Sequence, residues 1–318
     1  MSPAVPPVTA AALSGVVPPV CTPLTDDRQV DADSLRRLVD HLIDGGVDGL
    51  FLLGSSGEAA FLTDAQRDEV LRIAVPQVAG RVPVIAGVID MTTPRVLDHV
   101  RRTLDAGVGG IVATAPFYTR THVAEIELHF RTIKQAIGGV PLYAYDIPVC
   151  VNGVKLDTQM VLRLAADGVL AGVKDSSGDD AGLRALVLGK RVAGLDRFSV
   201  LTGSELTVDC AILMGADGVV PGLGNVDPAG YATLLRLARA GDWETARAEQ
   251  ERLCALFGLV NVAPTGRMGR GSSALGAFKA ALYLRQVIAS PTTALPAIPL
   301  SDGEIDAVAG YLERAGLL

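Results

Sequence analysis

Eight short apolar runs, each followed by a stretch of helix length, constrain this chain more than any other feature. Val16–Val20, Gly49–Leu53, Val82–Val88, Gly110–Thr114, Leu142–Tyr145, Leu170–Lys174, Phe198–Thr202 and Gly218–Val220 are rich in Val, Ile and Leu and do not alternate with polar residues. Runs of this kind read as strands buried on both faces. Between them lie Asp33–Asp44, Thr63–Ala79, Thr93–Ala106, Val123–Ile137, Asp157–Ala166, Asp180–Leu188, Glu205–Met214 and Pro228–Ala240, several opening on an Asp or Thr cap. Glycine-bearing turns such as Gly46–Gly49 and Gly215–Gly218 suit a helix end before the next strand. Strict alternation implies a parallel sheet with right-handed crossovers. Eight units in about 225 residues fit a (β/α)8 TIM barrel better than an open sheet. No GxGxxG opens the first helix, which counts against a dinucleotide fold.

The expected organisation is a flexible N-terminal tail over residues 1–13, a barrel over 14–240 and a C-terminal helical extension over 241–318 packed on the barrel. The extension holds helical stretches at Asp242–Phe257, Ala274–Ile288 and Asp302–Arg314, with a Pro-bearing linker at Ala294–Pro299. Gly266–Ser273 is glycine-rich, but it follows no strand and lacks Gly-Lys-Ser/Thr. It reads as a loose loop, not a phosphate cradle.

Composition narrows the function classes. The chain has 318 residues, 49% of them hydrophobic, enough for a large core. Net charge is −7 and no basic stripe appears, so no nucleic-acid partner is expected. No apolar run reaches the ~18 residues of a membrane span. Residues 1–13 lack the basic segment of a signal peptide. Cys21, Cys150, Cys210 and Cys254 are widely separated, with no CxxC pair, and read as reduced thiols of a cytoplasmic protein without a metal site.

In a barrel the chemistry sits at the C-terminal ends of the strands. Of the lysines, Lys134, Lys155 and Lys190 fall in polar helical or loop settings and should extend into water. Lys279 falls in a helix past the barrel, and Lys174 alone ends an apolar run. Burial disfavours the charged form of an amine, and a neutral amine attacks a ketone to give an imine. A strand-end lysine paired with a carboxylate such as Asp175 is the competing reading. The second strand ends in Gly54-Ser55-Ser56-Gly57-Glu58, where hydroxyls and N–H groups could hold a carboxylate, or which could be an ordinary turn with a serine cap. Tyr143 and Tyr145 point to one side at strand period, and a phenol beside an imine can exchange protons. Either could equally be core. Phe117 and Tyr118 form an aromatic pair on a loop, suited to a site or to a subunit contact. His41, His99, His122 and His129 all fall on helices or their starts, which removes the usual base of serine and metal hydrolases. It also removes the Glu/His pair expected of a phosphosugar isomerase.

The ordered set GSSGE, PFY, YDIP and VKDSSGD, each at a strand end, resembles the dihydrodipicolinate synthase / N-acetylneuraminate lyase family of class I Schiff-base aldolases. The resemblance covers roughly residues 14 to 290. It implies that Lys174 forms the Schiff base and that Tyr145 shuttles protons. It places Ser55 and Ser56, with Gly57, beside the carboxylate of a 2-keto acid. It implies that Tyr118 reaches into a neighbouring subunit's site in a homotetramer built as a dimer of dimers, and that Val220 packs near the bound keto acid. The partners it implies are a small-molecule 2-keto acid such as pyruvate and an aldehyde. No metal or organic cofactor is expected, because the protonated imine is itself the electron sink.

Departures from the family pattern bear on the substrate. Dihydrodipicolinate synthases carry an arginine shortly after the tyrosine motif, which clamps the second carboxylate of aspartate semialdehyde. Cys150 stands there in this chain, and a thiol does not replace a bidentate, charge-assisted contact. Glu205 falls where sugar-acid lyases bind substrate hydroxyls, or is simply an acidic residue in a helix's first turn. The expectation is a pyruvate lyase acting on a 2-keto-3-deoxy sugar acid. The alternatives are dihydrodipicolinate synthesis with Arg120 as substitute clamp, a dehydratase using the same imine, and a non-catalytic barrel.

Overall fold

All eight apolar runs form parallel strands, and the strands close on one another. The computed structural model describes residues 12–318. Residues 1–11, most of the expected tail, lie outside the described residues. Leu13 is buried against Val17 and Phe51 in the lower part of the barrel.

The strands are β1 (Gly15–Val16), β2 (Leu50–Leu52), β3 (Val84–Gly87), β4 (Gly110–Thr114), β5 (Leu142–Asp146), β6 (Gly172–Asp175), β7 (Ser199–Thr202) and β8 (Gly218–Val219). Their order around the sheet is β1-β8-β7-β6-β5-β4-β3-β2. A parallel bridge between Pro19 and Phe51 joins the chain just past β1 to β2 and completes the ring. The Val20 N–H donates to the Phe51 carbonyl at 2.9 Å, and the Phe51 N–H to the Pro18 carbonyl at 3.1 Å. This is the (β/α)8 barrel with C-terminal helices that the pattern implied. Several ladders are shorter than the apolar runs, because the run continues into the turn after hydrogen-bonded pairing has ended.

The helices are α1 (Ala32–Asp44), α2 (Asp64–Val78), α3 (Thr93–Asp105), α4 (Val123–Ile137), α5 (Thr158–Ala166), α6 (Asp180–Val192), α7 (Val208–Met214) and α8 (Pro228–Arg239), followed by α9 (Trp243–Phe257), α10 (Arg270–Leu284) and α11 (Asp302–Arg314). Local chemistry fixes their starts. Asp31 caps α1 by accepting the Ser34 N–H at 3.0 Å, and Thr63 with Gln66 forms a reciprocal capping box on α2. Such caps contribute about 1 kcal/mol each. Several boundaries differ from expectation, among them the end of α10, at Leu284 instead of Ile288. α6 runs on to Val192. α10 starts at Arg270, taking in the end of the glycine-rich stretch, because Ser273 is buried and its Oγ donates to the Val260 carbonyl at 2.7 Å. α7 starts at Val208 instead of Glu205.

Side chains alternate between two cores, as strand pleating requires. Leu142 and Ala144 of β5 and Val173 of β6 face outward into the layer beneath the helices, a cluster shared with Leu253, Ala277 and Leu312 of the C-terminal helices. Tyr143 and Tyr145 face inward with Phe51, Ile85, Val112, Leu201 and Val220. Tyr143 fills the interior, where burial pushes its phenol up to about 12. Its ring needs a glycine on the next strand: a Cβ on Gly172 would lie 2.8 Å from it. Tyr143 is therefore a core tyrosine, and Tyr145 lies one pleat nearer the mouth.

Candidate active site

Register brings the central pair together. Tyr145 of β5 stands opposite Lys174 of β6, both inward-facing near the C-terminal ends of their strands. Lys174 Nζ sits 4.1 Å from the centroid of the Tyr145 ring and 5.2 Å from that of Phe51. The two rings meet edge to face at 6.1 Å. Lys174 is 7% exposed and, among the described residues, forms no ion pair.

The competing reading of Lys174, a partner for Asp175, fails for a specific reason. Asp146 and Asp175 follow Tyr145 and Lys174 in sequence, pair with each other in register and point to the opposite face. Lys155 lies between them, bonded to Asp146 and 3.3 Å from Asp175. Asp175 also accepts the Ser177 N–H at 2.8 Å, and Asp146 the Leu156 N–H at 3.2 Å. Burial pushes the Asp146 carboxyl up, opposed by Lys155. Burial likewise works against the Lys155 ammonium, but its bond to Asp146 and the charges of both carboxylates outweigh it and raise its pKa. Lys155 is thus held in an ion-pair cluster instead of extending freely into water as expected.

Above the lysine, Tyr145 Oη and Ser55 Oγ are 3.4 Å apart. Ser55 is exposed at the mouth, Ser56 is half-buried and Gly57 is buried, where an added Cβ would lie 2.9 Å from the Val20 carbonyl. Backbone strain concentrates here. Of the seven non-glycine residues with positive φ among the described residues, Leu53, Glu58, Tyr118 and Asn152 lie on the loops after β2, β4 and β5. Such conformations persist only where surrounding contacts hold them, and they cluster at functional sites.

The contact that holds the serine loop comes from the C-terminal helices. Glu58 and Lys279 of α10 form an ion pair with both side chains 0% exposed. Glu58 also accepts the Ala294 N–H at 2.6 Å, and Lys279 donates to the Thr292 carbonyl at 2.7 Å. Nothing in the local sequence marked Lys279, whose partner lies 221 positions away in the numbering (279 − 58). Cys21 is also buried near this pair, and burial pushes its thiol up to about 12.

Glu205 lies in the turn before α7, so the helix-dipole account of it does not apply. Its carboxylate accepts backbone N–H groups of Leu223 and Gly222 at the β8 end. Burial pushes it up to about 7, against the opposing pull of those bonds and of Lys174. Val220 sits beneath, 2% exposed. Tyr118 stands apart: it is 87% exposed and makes no ring contact among the described residues. Cys150 is exposed on the one-turn 3-10 helix Pro148–Cys150, where burial raises its thiol and the Lys174 charge opposes the rise. Asn152 donates to the Thr119 carbonyl at 3.1 Å, tying that loop to the one that carries Arg120. No group of His, Cys, Asp and Glu able to hold a metal occurs among the described residues, and no helix there is long and apolar enough to cross a membrane.

Comparison with known proteins agrees with this architecture. The dihydrodipicolinate synthetase family matches residues 12–315. A 4-hydroxy-tetrahydrodipicolinate synthase of Xanthomonas campestris is 35% identical over 241 residues, 76% of this chain and 78% of that one. An uncharacterized DapA-like lyase of Halobacterium salinarum is 33% identical over 306 residues, 96% of this chain and 95% of that one. Among solved structures, dihydrodipicolinate synthase from Bacteroides thetaiotaomicron superposes with TM-score 0.89 at 28% identity, covering 96% of this chain and 99% of that one. YagE, a prophage protein of Escherichia coli K12 solved with pyruvate, gives 0.87 at 28% identity with the same coverage. The chain belongs to the dihydrodipicolinate synthetase family of class I Schiff-base aldolases, and is a lyase of the pyruvate-aldolase type.

Proposed function

We propose that Lys174 forms a Schiff base with pyruvate or a related 2-keto acid, and that the enzyme cleaves or condenses that acid with a hydroxylated aldehyde, as in a 2-keto-3-deoxy sugar acid. The observation that carries the first half is Lys174 itself: a buried amine over an aromatic face, with both nearby strand-end carboxylates bonded to another lysine. Nζ attacks the ketone carbon, the carbinolamine loses water, and the protonated imine draws electrons from C3. Loss of a C3 proton gives the enamine that adds to an aldehyde, and cleavage is the reverse. Tyr145, within reach of Ser55, carries protons to and from the adduct. Ser55, Ser56 and the backbone around Gly57 bind the keto-acid carboxylate, and Val220 packs beneath it.

Glu205 supports the sugar-acid reading. A carboxyl raised to about 7 exchanges between acceptor and donor near neutrality, which suits substrate hydroxyls. The exposed Cys150 offers no clamp for a second carboxylate. One observation favours 4-hydroxy-tetrahydrodipicolinate synthesis instead: relatives at 32–35% identity carry that name. The bond from Asn152 to the Thr119 carbonyl supports Arg120, the next residue on that loop, as the substitute clamp. We further propose a homotetramer in which Tyr118 completes a neighbour's site, in keeping with its exposure and positive φ.

Incubation with pyruvate and borohydride, followed by peptide mass spectrometry, is expected to give a reduced adduct on Lys174. No adduct with any 2-keto acid refutes the mechanism. Turnover of keto-deoxy sugar acids compared with aspartate semialdehyde decides the substrate. Loss of semialdehyde turnover in Arg120→Ala would support the synthase reading. A monomer by light scattering refutes the role given to Tyr118.

A further inference from the structure

We infer that Lys155 is a positioning residue: a staple on the outer face of the barrel that fixes Tyr145 against Lys174. The inference rests on the Schiff-base reading of Lys174 and concerns how that site is kept in register. Strand pleating puts Tyr145 and Lys174 on the inner face and the residues after them, Asp146 and Asp175, on the outer one. The two carboxylates are register partners on adjacent strands, 1% and 3% exposed at their side chains. Two such charges side by side repel, and each pulls on the residue that carries the chemistry.

Lys155 removes the repulsion with one ammonium bonded to both. It is itself constrained. The Leu156 N–H next to it donates to Asp146, and Asp157 caps α5. Its stem passes over Gly182 of α6, where an added Cβ would lie 3.5 Å from Lys155 Cε. Two backbone bonds extend the lock across the mouth. The Ser176 N–H donates to the Asp146 carbonyl at 2.8 Å, and the Gly203 N–H to the Asp175 carbonyl at 2.7 Å. The staple therefore holds the ends of β5 and β6 at the two residues whose separation sets the amine-to-phenol geometry. Charged groups facing Lys155 are Asp146, Asp175 and, at the α6 cap, Asp179.

The test compares wild type with Lys155→Met and Lys155→Arg in borohydride trapping of the Lys174 adduct at varied pyruvate concentration, with thermal midpoints measured alongside. Lys155→Met is expected to slow adduct formation at saturating pyruvate by at least about tenfold, the scale set by small misplacements of reacting groups. The half-saturating pyruvate concentration should change less than about twofold, because the carboxylate-binding loop is untouched. Lys155→Arg should recover most of the rate. A folded Lys155→Met protein trapping at the wild-type rate overturns the inference and leaves the Schiff-base reading standing. Failure of wild type to trap any 2-keto acid overturns both. Where Lys155→Met does not fold, Asp146→Asn is the second variant, since it leaves Lys155 on Asp175 alone. An unchanged trapping rate there overturns the staple, and a fall in rate with pyruvate half-saturation held supports it.

Discussion

Lys279→Met tests whether the C-terminal helices hold the mouth of the barrel through charge. In wild type Lys279 and Glu58 are paired with no exposure on either side. The substitution keeps a stem of similar length, so packing changes little. It removes the ammonium, its bond to the Thr292 carbonyl and the countercharge of Glu58. Glu58 keeps one donor, the Ala294 N–H at 2.6 Å, but cannot reach water. Breaking a buried pair from one side costs about 3–5 kcal/mol, most of it from the charge left behind. That is a large part of the ~5–15 kcal/mol that holds a typical domain together. The double variant Glu58→Gln/Lys279→Met leaves no charge and retains an acceptor for Ala294. It is expected to recover more than half of the loss. Urea unfolding followed by fluorescence of Trp243, the chain's single tryptophan, gives both differences. A Lys279→Met protein within about 1 kcal/mol of wild type, or a double variant no more stable than the single, refutes the reasoning.

Three further outcomes follow from the same geometry. Tyr145→Phe keeps the ring over Lys174 and removes the hydroxyl that meets Ser55. Trapping with pyruvate should slow about 10²–10⁴-fold with the thermal midpoint little changed, and a near-normal rate would dismiss its proton-transfer role. Gly172→Ala drives a Cβ to 2.8 Å from both the Tyr143 ring and the Ser199 carbonyl, and should lower unfolding free energy by about 1–3 kcal/mol. Wild-type stability would show that the barrel interior has slack. Glu205 is raised from an ordinary 4.5 to about 7 by burial. Between those values the folded chain holds more protons than the unfolded one, so its contribution is full below about 4.5 and is lost as pH rises through 7. Thermal midpoints of wild type and Glu205→Gln at pH 5 and pH 8 should show wild type losing ground at the higher pH. A constant difference would contradict the shift.

The fold was legible because its determinants are local and repeat eight times. Non-alternating apolar runs require burial on both faces, and caps at positions such as Asp31 and Thr63 start helices regardless of what surrounds them. The places of Lys174, Tyr145 and Ser55 at the barrel mouth were legible because each occupies a strand end or the turn after one. What the sequence left open was which of two period-related tyrosines faces the mouth, and whether Asp175 pairs with Lys174. Register settled the first, by burying Tyr143 one pleat deeper against Gly172. The second depended on Lys155, whose polar surroundings gave no hint that two buried carboxylates converge on it.

Of the two readings of Glu205, only the helix-dipole one falls: a turn, not a helix start, aims the carboxylate at the N–H groups of Leu223 and Gly222. Lys279 was out of reach for the same reason in stronger form. An amphipathic helix after the eighth unit predicts packing on the barrel, but not that one lysine enters the core to meet Glu58. Periodicity and order along the chain were enough for the barrel, the strand-end address of Lys174 and the motifs around it. Closure of the barrel sets which charges neutralise one another. A buried charge takes the counter-ion that closure of the barrel brings within reach, however far away in the chain that residue lies.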